Sequence, residues 1–135
     1  MKKHIAAFFQ HMPPYSAAVS LRGESLINQI SNVCDNCLIT VLCSNEESKS
    51  YKNFSLIGLN ASDNNNTLGL VWRTLDEVRL GLSALRYLIF GKPDVLLISS
   101  PSYIVALVLY LFSRFSRTKY IVDLRDIYPE VYVQA

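Results

Sequence analysis

Arg125, Asp126 and Glu130 stand close together on either side of Pro129, directly after the basic-flanked apolar run from Lys119 to Leu124. A guanidinium donates and carboxylates accept, which suits a polyol, because sugar hydroxyls need partners of both kinds. By type, Asp126 can orient an attacking hydroxyl, and Arg125 can hold a phosphate through a two-pronged contact. Their position adds to the argument. A strand buried on both faces reads as a nearly continuous apolar run, and the loop at its carboxyl end opens into the crevice where open α/β sheets bind ligands. The competing reading is local: the charges flanking Pro129 pair with one another at a loop surface.

A second candidate is the loop from Gln10 to Ala18, which joins the first expected strand to the first expected helix. In a parallel sheet such a loop brings the free amides and positive dipole end of the helix to the ligand crevice, where phosphate binds. No G-x-G-x-x-G and no G-x-x-x-x-G-K-[ST] occurs, which argues against a dinucleotide-binding fold and a P-loop nucleotidase. No carboxylate pair follows the first strand, so a phospho-accepting receiver is not expected. His11 reads as a solvated or locally bonded loop residue. Cys34 and Cys37 have the spacing of a dithiol or of half a zinc site, but no second Cys or His pair follows, so no metal is expected. The simpler reading has one cysteine closing a helix and the other opening a strand.

The elements that must carry these residues follow from apolar spacing. Ile5–Phe9, Leu38–Cys43, Phe54–Leu59, Asp94–Ser99 and Lys119–Leu124 read as strands, four of them without the polar alternation of a half-exposed sheet. Val19, Leu26, Ile27, Ile30, Val33 and Cys34 recur at helical steps. The longest helical pattern is Val71, Leu75, Val78, Leu82, Leu85 and Ile89, with Asn66 or Thr67 as its cap and Gly91 then Pro93 as its stop. A third helix is expected from Pro101 to about Arg114. The order β-α-β-β-α-β-α-β predicts a parallel sheet of about five strands with helices on both faces, and the polar link from Ser44 to Asn53 reads as a loop excursion.

Size and charge set the outer bounds. With 135 residues, half of them apolar, the chain suffices for one domain spanning 1–135. A net charge of +2 is too small for a surface that tracks nucleic acid, so no nucleic-acid partner is expected. The apolar stretch after Lys2-Lys3-His4 is too short for a secretory signal, and three cysteines cannot all pair, so a cytoplasmic location is expected. The unbroken apolar run Ile104–Phe112 is too short to span a bilayer, which takes about twenty residues. A buried helix accounts for it, while the basic residues that follow, Arg114, Arg117 and Lys119, also suit anionic lipid headgroups at a membrane surface.

Taken together, several segments resemble the amino-terminal domain of family 4 glycosyltransferases of the GT-B fold, above all the bacterial capsule and O-antigen branch. They are the Pro13-Pro14 loop, Arg22 early in the first helix, Lys92-Pro93-Asp94-Val95 leading to Ser99-Ser100-Pro101, and Asp123-Leu124-Arg125-Asp126-Ile127-Tyr128-Pro129-Glu130. The last is the most specific, and the likeness spans essentially the whole chain. It implies a Rossmann-like acceptor-binding domain facing a second domain across a cleft. It also implies transfer of a sugar from a nucleotide-sugar donor to a lipid-linked or polysaccharide acceptor, with retention of anomeric configuration, and no separate cofactor. Carried over by position, Asp126 is the catalytic candidate, and Arg22, Ser100, Arg125 and Glu130 bind acceptor. Tyr15, Ser16, Ala17 and Ala18 lie at the donor phosphates, with Ser16-Ala17-Ala18 standing where the family usually has Gly-Gly. The donor-binding carboxyl-terminal domain is expected to be a separate domain or subunit, so the chain alone is expected to be inactive. The inner face of the plasma membrane is the implied place of work. A different class of function, a non-catalytic membrane-docking or scaffold subunit that recruits a donor-binding partner, fits the basic-ended apolar helix.

Overall fold

The structure is a computed structural model and describes residues 2–13, 18–44, 47–59, 70–99 and 103–124. Within them the chain runs β1 (Lys3–Phe9), α1 (Ala18–Val33), β2 (Cys37–Cys43), β3 (Lys49–Ser50), β4 (Ser55–Gly58), α2 (Leu70–Gly91), β5 (Val95–Ser99), α3 (Tyr103–Ser116) and β6 (Lys119–Asp123). The six strands form one mixed, mostly parallel sheet in the order β3-β4-β2-β1-β5-β6. Among the described residues only the β3–β4 pairing is antiparallel.

β1 is central because both its faces are apolar. Ala6 and Phe8 pack with Leu96 and Ile98 of β5, with Leu80, Ala84 and Leu88 of α2, and with Val105 and Leu109 of α3. The alternate residues Ala7 and Phe9 pack with Ile39 and Val41 of β2, Leu97 of β5 and Ile27 of α1. Successive strand residues point to opposite faces, so the two clusters lie on opposite sides of the sheet, and α1 is across from α2 and α3. Complete burial of a Leu, Ile or Phe side chain contributes about 1.5–3 kcal/mol, and these two clusters hold most such residues. Gly23 brings α1 down onto the sheet. A Cβ there would lie 3.0 Å from Phe9 Cδ1 and 3.1 Å from Met12 Sδ.

The structure departs from the sequence expectations in four places. The described residues hold six strands, not five, because Lys49–Ser50 adds an antiparallel β3 inside the polar link. A two-residue strand is too short to show any alternation. It is held by the Tyr51 amide donating to the Phe54 carbonyl at 2.8 Å and by stacking of the two rings.

The face of α2 is also different. Spacing selects Val71, Leu75, Val78, Leu82, Leu85 and Ile89, yet Val71, Leu75, Leu82 and Ile89 are exposed, and Leu80, Gly81, Ala84 and Leu88 are buried. Small residues decide the matter. Gly81 admits α3, whose Val108 Cβ lies 3.4 Å from where a Cβ on Gly81 would be, and Ala84 is completely buried between neighbours.

At the end of α2 it is Lys92, with φ of 42°, that takes the left-handed conformation expected of Gly91. Gly91 has another reason to lack a side chain: a Cβ on it would meet the His4 ring at 3.4 Å. His4 ties this corner together. Its Nδ1 donates to the Gly91 carbonyl at 3.0 Å, which leaves Nε2 facing Thr40 Oγ1 at 3.1 Å, and its amide donates to Asp94 Oδ2 at 2.8 Å.

Finally, Cys34 follows α1 and Cys37 opens β2, as the simpler reading has it, but the two are also joined by a disulfide. Cys43 is buried and free of any disulfide.

Candidate functional site

β1, β2, β4, β5 and β6 are mutually parallel, so their carboxyl ends share one edge of the sheet. From β1 the chain passes through α1 to β2 on one side, while β5 flanks β1 on the other. Strand order reverses between β1 and β5, and ligands of open α/β sheets bind outside the carboxyl ends at such a reversal.

Three polar side chains meet beside it. Asp123 closes β6 and is paired in register with Ser99, which closes β5. Ser99 is 2% exposed, and its Oγ donates to Asp123 Oδ2 at 3.1 Å. Arg22, in the second turn of α1, donates from Nη2 to Asp123 Oδ1 at 2.9 Å. Both carboxylate oxygens are therefore engaged, and the carboxylate steers the guanidinium. An Arg has five N–H donors, and the ion pair to Asp123 occupies one of them. The side chain of Arg22 is 60% exposed, so its remaining donors are accessible to an incoming anion or hydroxyl.

Beside the pair runs a cleft of about 490 Å³. Arg22, Ser25, Leu26 and Gln29 line it from α1, and Leu97, Ile121, Val122 and Asp123 line it from β5 and β6. Its size lies in the range of small-molecule clefts. A lining that mixes polar and apolar side chains suits a ligand with both hydroxyls and C–H groups. The pocket can bind and orient. Among the described residues there is no group of three His, Cys, Asp or Glu residues able to hold a metal ion.

Of the residues selected from sequence, Arg22 is at this edge, with Asp123 as its partner. The backbone of Ala18 begins α1. Tyr15, Ser16, Ala17, Ser100, Arg125, Asp126 and Glu130 lie outside the described residues. Ser99 and Asp123 were not selected. Their signal is the register between β5 and β6, which no single-strand pattern carries. His11 is partly buried at the start of the loop after β1. No helix of the described residues is long and apolar enough to cross a membrane.

A comparison of the chain with protein-family models finds none that matches, and a comparison with curated proteins finds none either.

Proposed function

We propose that this chain is the acceptor-binding, Rossmann-like half of a GT-B glycosyltransferase. In this reading it presents a lipid-linked or polysaccharide acceptor to a sugar carried by a nucleotide donor, which a second domain or subunit binds. The observation that carries the proposal is the Arg22–Asp123–Ser99 cluster at the carboxyl ends of β5 and β6, beside an amphipathic cleft. Asp123 is also the first residue of the Asp123–Glu130 segment on which the family likeness mainly rests.

Each part has a role. Arg22, held by Asp123, meets a phosphate or hydroxyl of the acceptor, while Ser25 and Gln29 bond further hydroxyls and Leu97 and Ile121 take the apolar face of a sugar ring. By the family likeness, Asp126 orients the attacking hydroxyl, Arg125, Glu130 and Ser100 bind acceptor, and Tyr15, Ser16, Ala17 and Ala18 serve the donor phosphates. Donor choice belongs to the second domain.

Fusion to the donor-binding domain of a GT-B enzyme tests the proposal, with transfer of radiolabelled sugar from a nucleotide-sugar mixture to membrane lipid as the readout. Transfer should appear with the fusion and disappear with Asp126→Ala. Undiminished transfer by that variant removes the role given to Asp126. No amide shift at Arg22, Ser99 or Asp123 on titrating the chain with a bacterial surface oligosaccharide removes the acceptor reading.

A further inference from the structure

Cys34 and Cys37 take no part in the site at the carboxyl ends of the strands. They lie at the other edge of the sheet, where α1 ends and β2 begins, and a disulfide joins them. Their Cα atoms are 5.6 Å apart, within the usual span of such a bond. A metal does not account for the pair, because among the described residues no group of three His, Cys, Asp or Glu could hold one.

A purely structural bond does not account for it either. The stability that a disulfide adds grows with the length of chain it closes, and this one joins residues only 3 positions apart. The fold also brings the two cysteines together without the bond. Cys37 is paired with Lys3 in the β1–β2 register, and the Lys3 amide donates to the Asn36 carbonyl at 3.3 Å. Cys34 is held by its own amide, which donates to the Ile30 carbonyl at 3.0 Å and extends the last turn of α1. Opening the bond therefore leaves each thiol close to the other, and closing it again needs no search.

Access differs among the cysteines. Cys34 and Cys37 are both partly exposed, beside the exposed Val33, Asp35 and Asn36, whereas Cys43 is completely buried. A dissolved thiol or disulfide reaches the pair and not Cys43, which closes the route to a wrong pairing. We infer that Cys34 and Cys37 form a reversible thiol–disulfide site that exchanges with low-molecular-weight thiols and disulfides of the glutathione type, and that its state sets how firmly α1 is joined to β2. In the oxidising direction one cysteine thiolate attacks a sulfur of oxidised glutathione and expels one glutathione thiolate. The other cysteine thiolate then attacks the protein sulfur of that mixed disulfide and expels the second glutathione. Two electrons pass from the cysteine pair to the glutathione disulfide, and the protons lost by the cysteines end on the two glutathione thiols. Reduced glutathione runs the same steps backwards. The inference does not rest on the acceptor reading, because it concerns the opposite edge of the sheet and needs no sugar.

Alkylation of the folded 135-residue chain with iodoacetamide, read by intact mass, tests it after equilibration with glutathione at set ratios of its oxidised and reduced forms. Both cysteines of the pair should be alkylated when reduced glutathione is in excess, and neither when the oxidised form is, with no glutathione retained in either state. In Cys34→Ser or Cys37→Ser the remaining cysteine of the pair should keep one glutathione, because no second thiol expels it. Circular dichroism should be the same in the two states of the parent, while the Cys34 amide should exchange with solvent faster in the reduced one. Thiols that stay alkylatable in excess oxidised glutathione overturn the proposal, as does a bond that excess reduced glutathione fails to open. A chain that unfolds on reduction also overturns it, since the bond is then structural, and equal exchange of the Cys34 amide in the two states overturns its control of the α1–β2 joint.

Discussion

Arg22 and Asp123 are 101 positions apart in the chain and meet at 2.9 Å, joining the first helix to the last described strand. The guanidinium is 60% exposed, and exposed ion pairs are worth about 0.2–1 kcal/mol, so the contact does little to hold the fold. Arg22→Ala should therefore unfold in urea within about 1 kcal/mol of the parent while losing affinity for a glycan ligand. Asp123→Ala should cost more, about 1–3 kcal/mol, because it leaves the buried Ser99 hydroxyl without its acceptor. Equal costs for the two variants would show that Ser99 has another acceptor.

His4 bonds the end of α2 and a threonine of β2 at once. His4→Leu should lower stability by about 1–3 kcal/mol, since the Gly91 carbonyl loses its donor and Thr40 loses its ring partner. Thermal melts of His4→Leu alone and combined with Thr40→Val check the coupling. The double variant should cost less than the sum of the singles, because Thr40 is then no longer left unpartnered.

The two faces of α2 should respond in opposite ways. Leu88→Ala removes a completely buried side chain and should cost about 2–5 kcal/mol, whereas Leu82→Ala, at 53% exposure, should stay within about 0.5 kcal/mol. Urea midpoints measure both. A costly Leu82→Ala would mean that the exposed stripe of α2 is covered in solution.

Gly23→Val should destabilise by about 1–3 kcal/mol, since its branched side chain would press on the Phe9 ring and on Met12. Chemical denaturation against the parent chain gives the value directly.

Burial, followed by the neighbouring Tyr110, raises the Tyr120 pKa above its ordinary value of 10.0, and its hydroxyl donates to the Ala106 carbonyl at 2.9 Å. The neutral phenol is the form that the fold prefers. Its contribution is complete below the unfolded value near 10 and is lost as pH rises through the raised folded value. Tyrosinate absorbance should show a late-titrating component that Tyr120→Phe removes, and the parent should lose stability in alkali more steeply than that variant.

Where an element is covered on both faces, its sequence is legible. Ala6-Ala7-Phe8-Phe9 and Leu96-Leu97-Ile98 are apolar without interruption because each lies between neighbouring strands and beneath helices. The face of α2 was not legible, because the positions that approach most closely carry Gly81 and Ala84, which apolar counting ignores. The site was legible in part. Arg22 stands out as an early helical cation, but Ser99 and Asp123 become partners only through the β5–β6 register, a relation between strands. β3 was invisible because its two residues have no partner pattern until β4 is laid beside them.

The sheet has unlike flanks. On one side the two-residue, antiparallel β3 offers almost no backbone to recruit another chain. On the other, β6 is the outermost described strand, with Ile121 and Val122 partly in water. Ribbon-to-ribbon association would thus begin at β6, and two molecules joined there would turn only blunt borders outward.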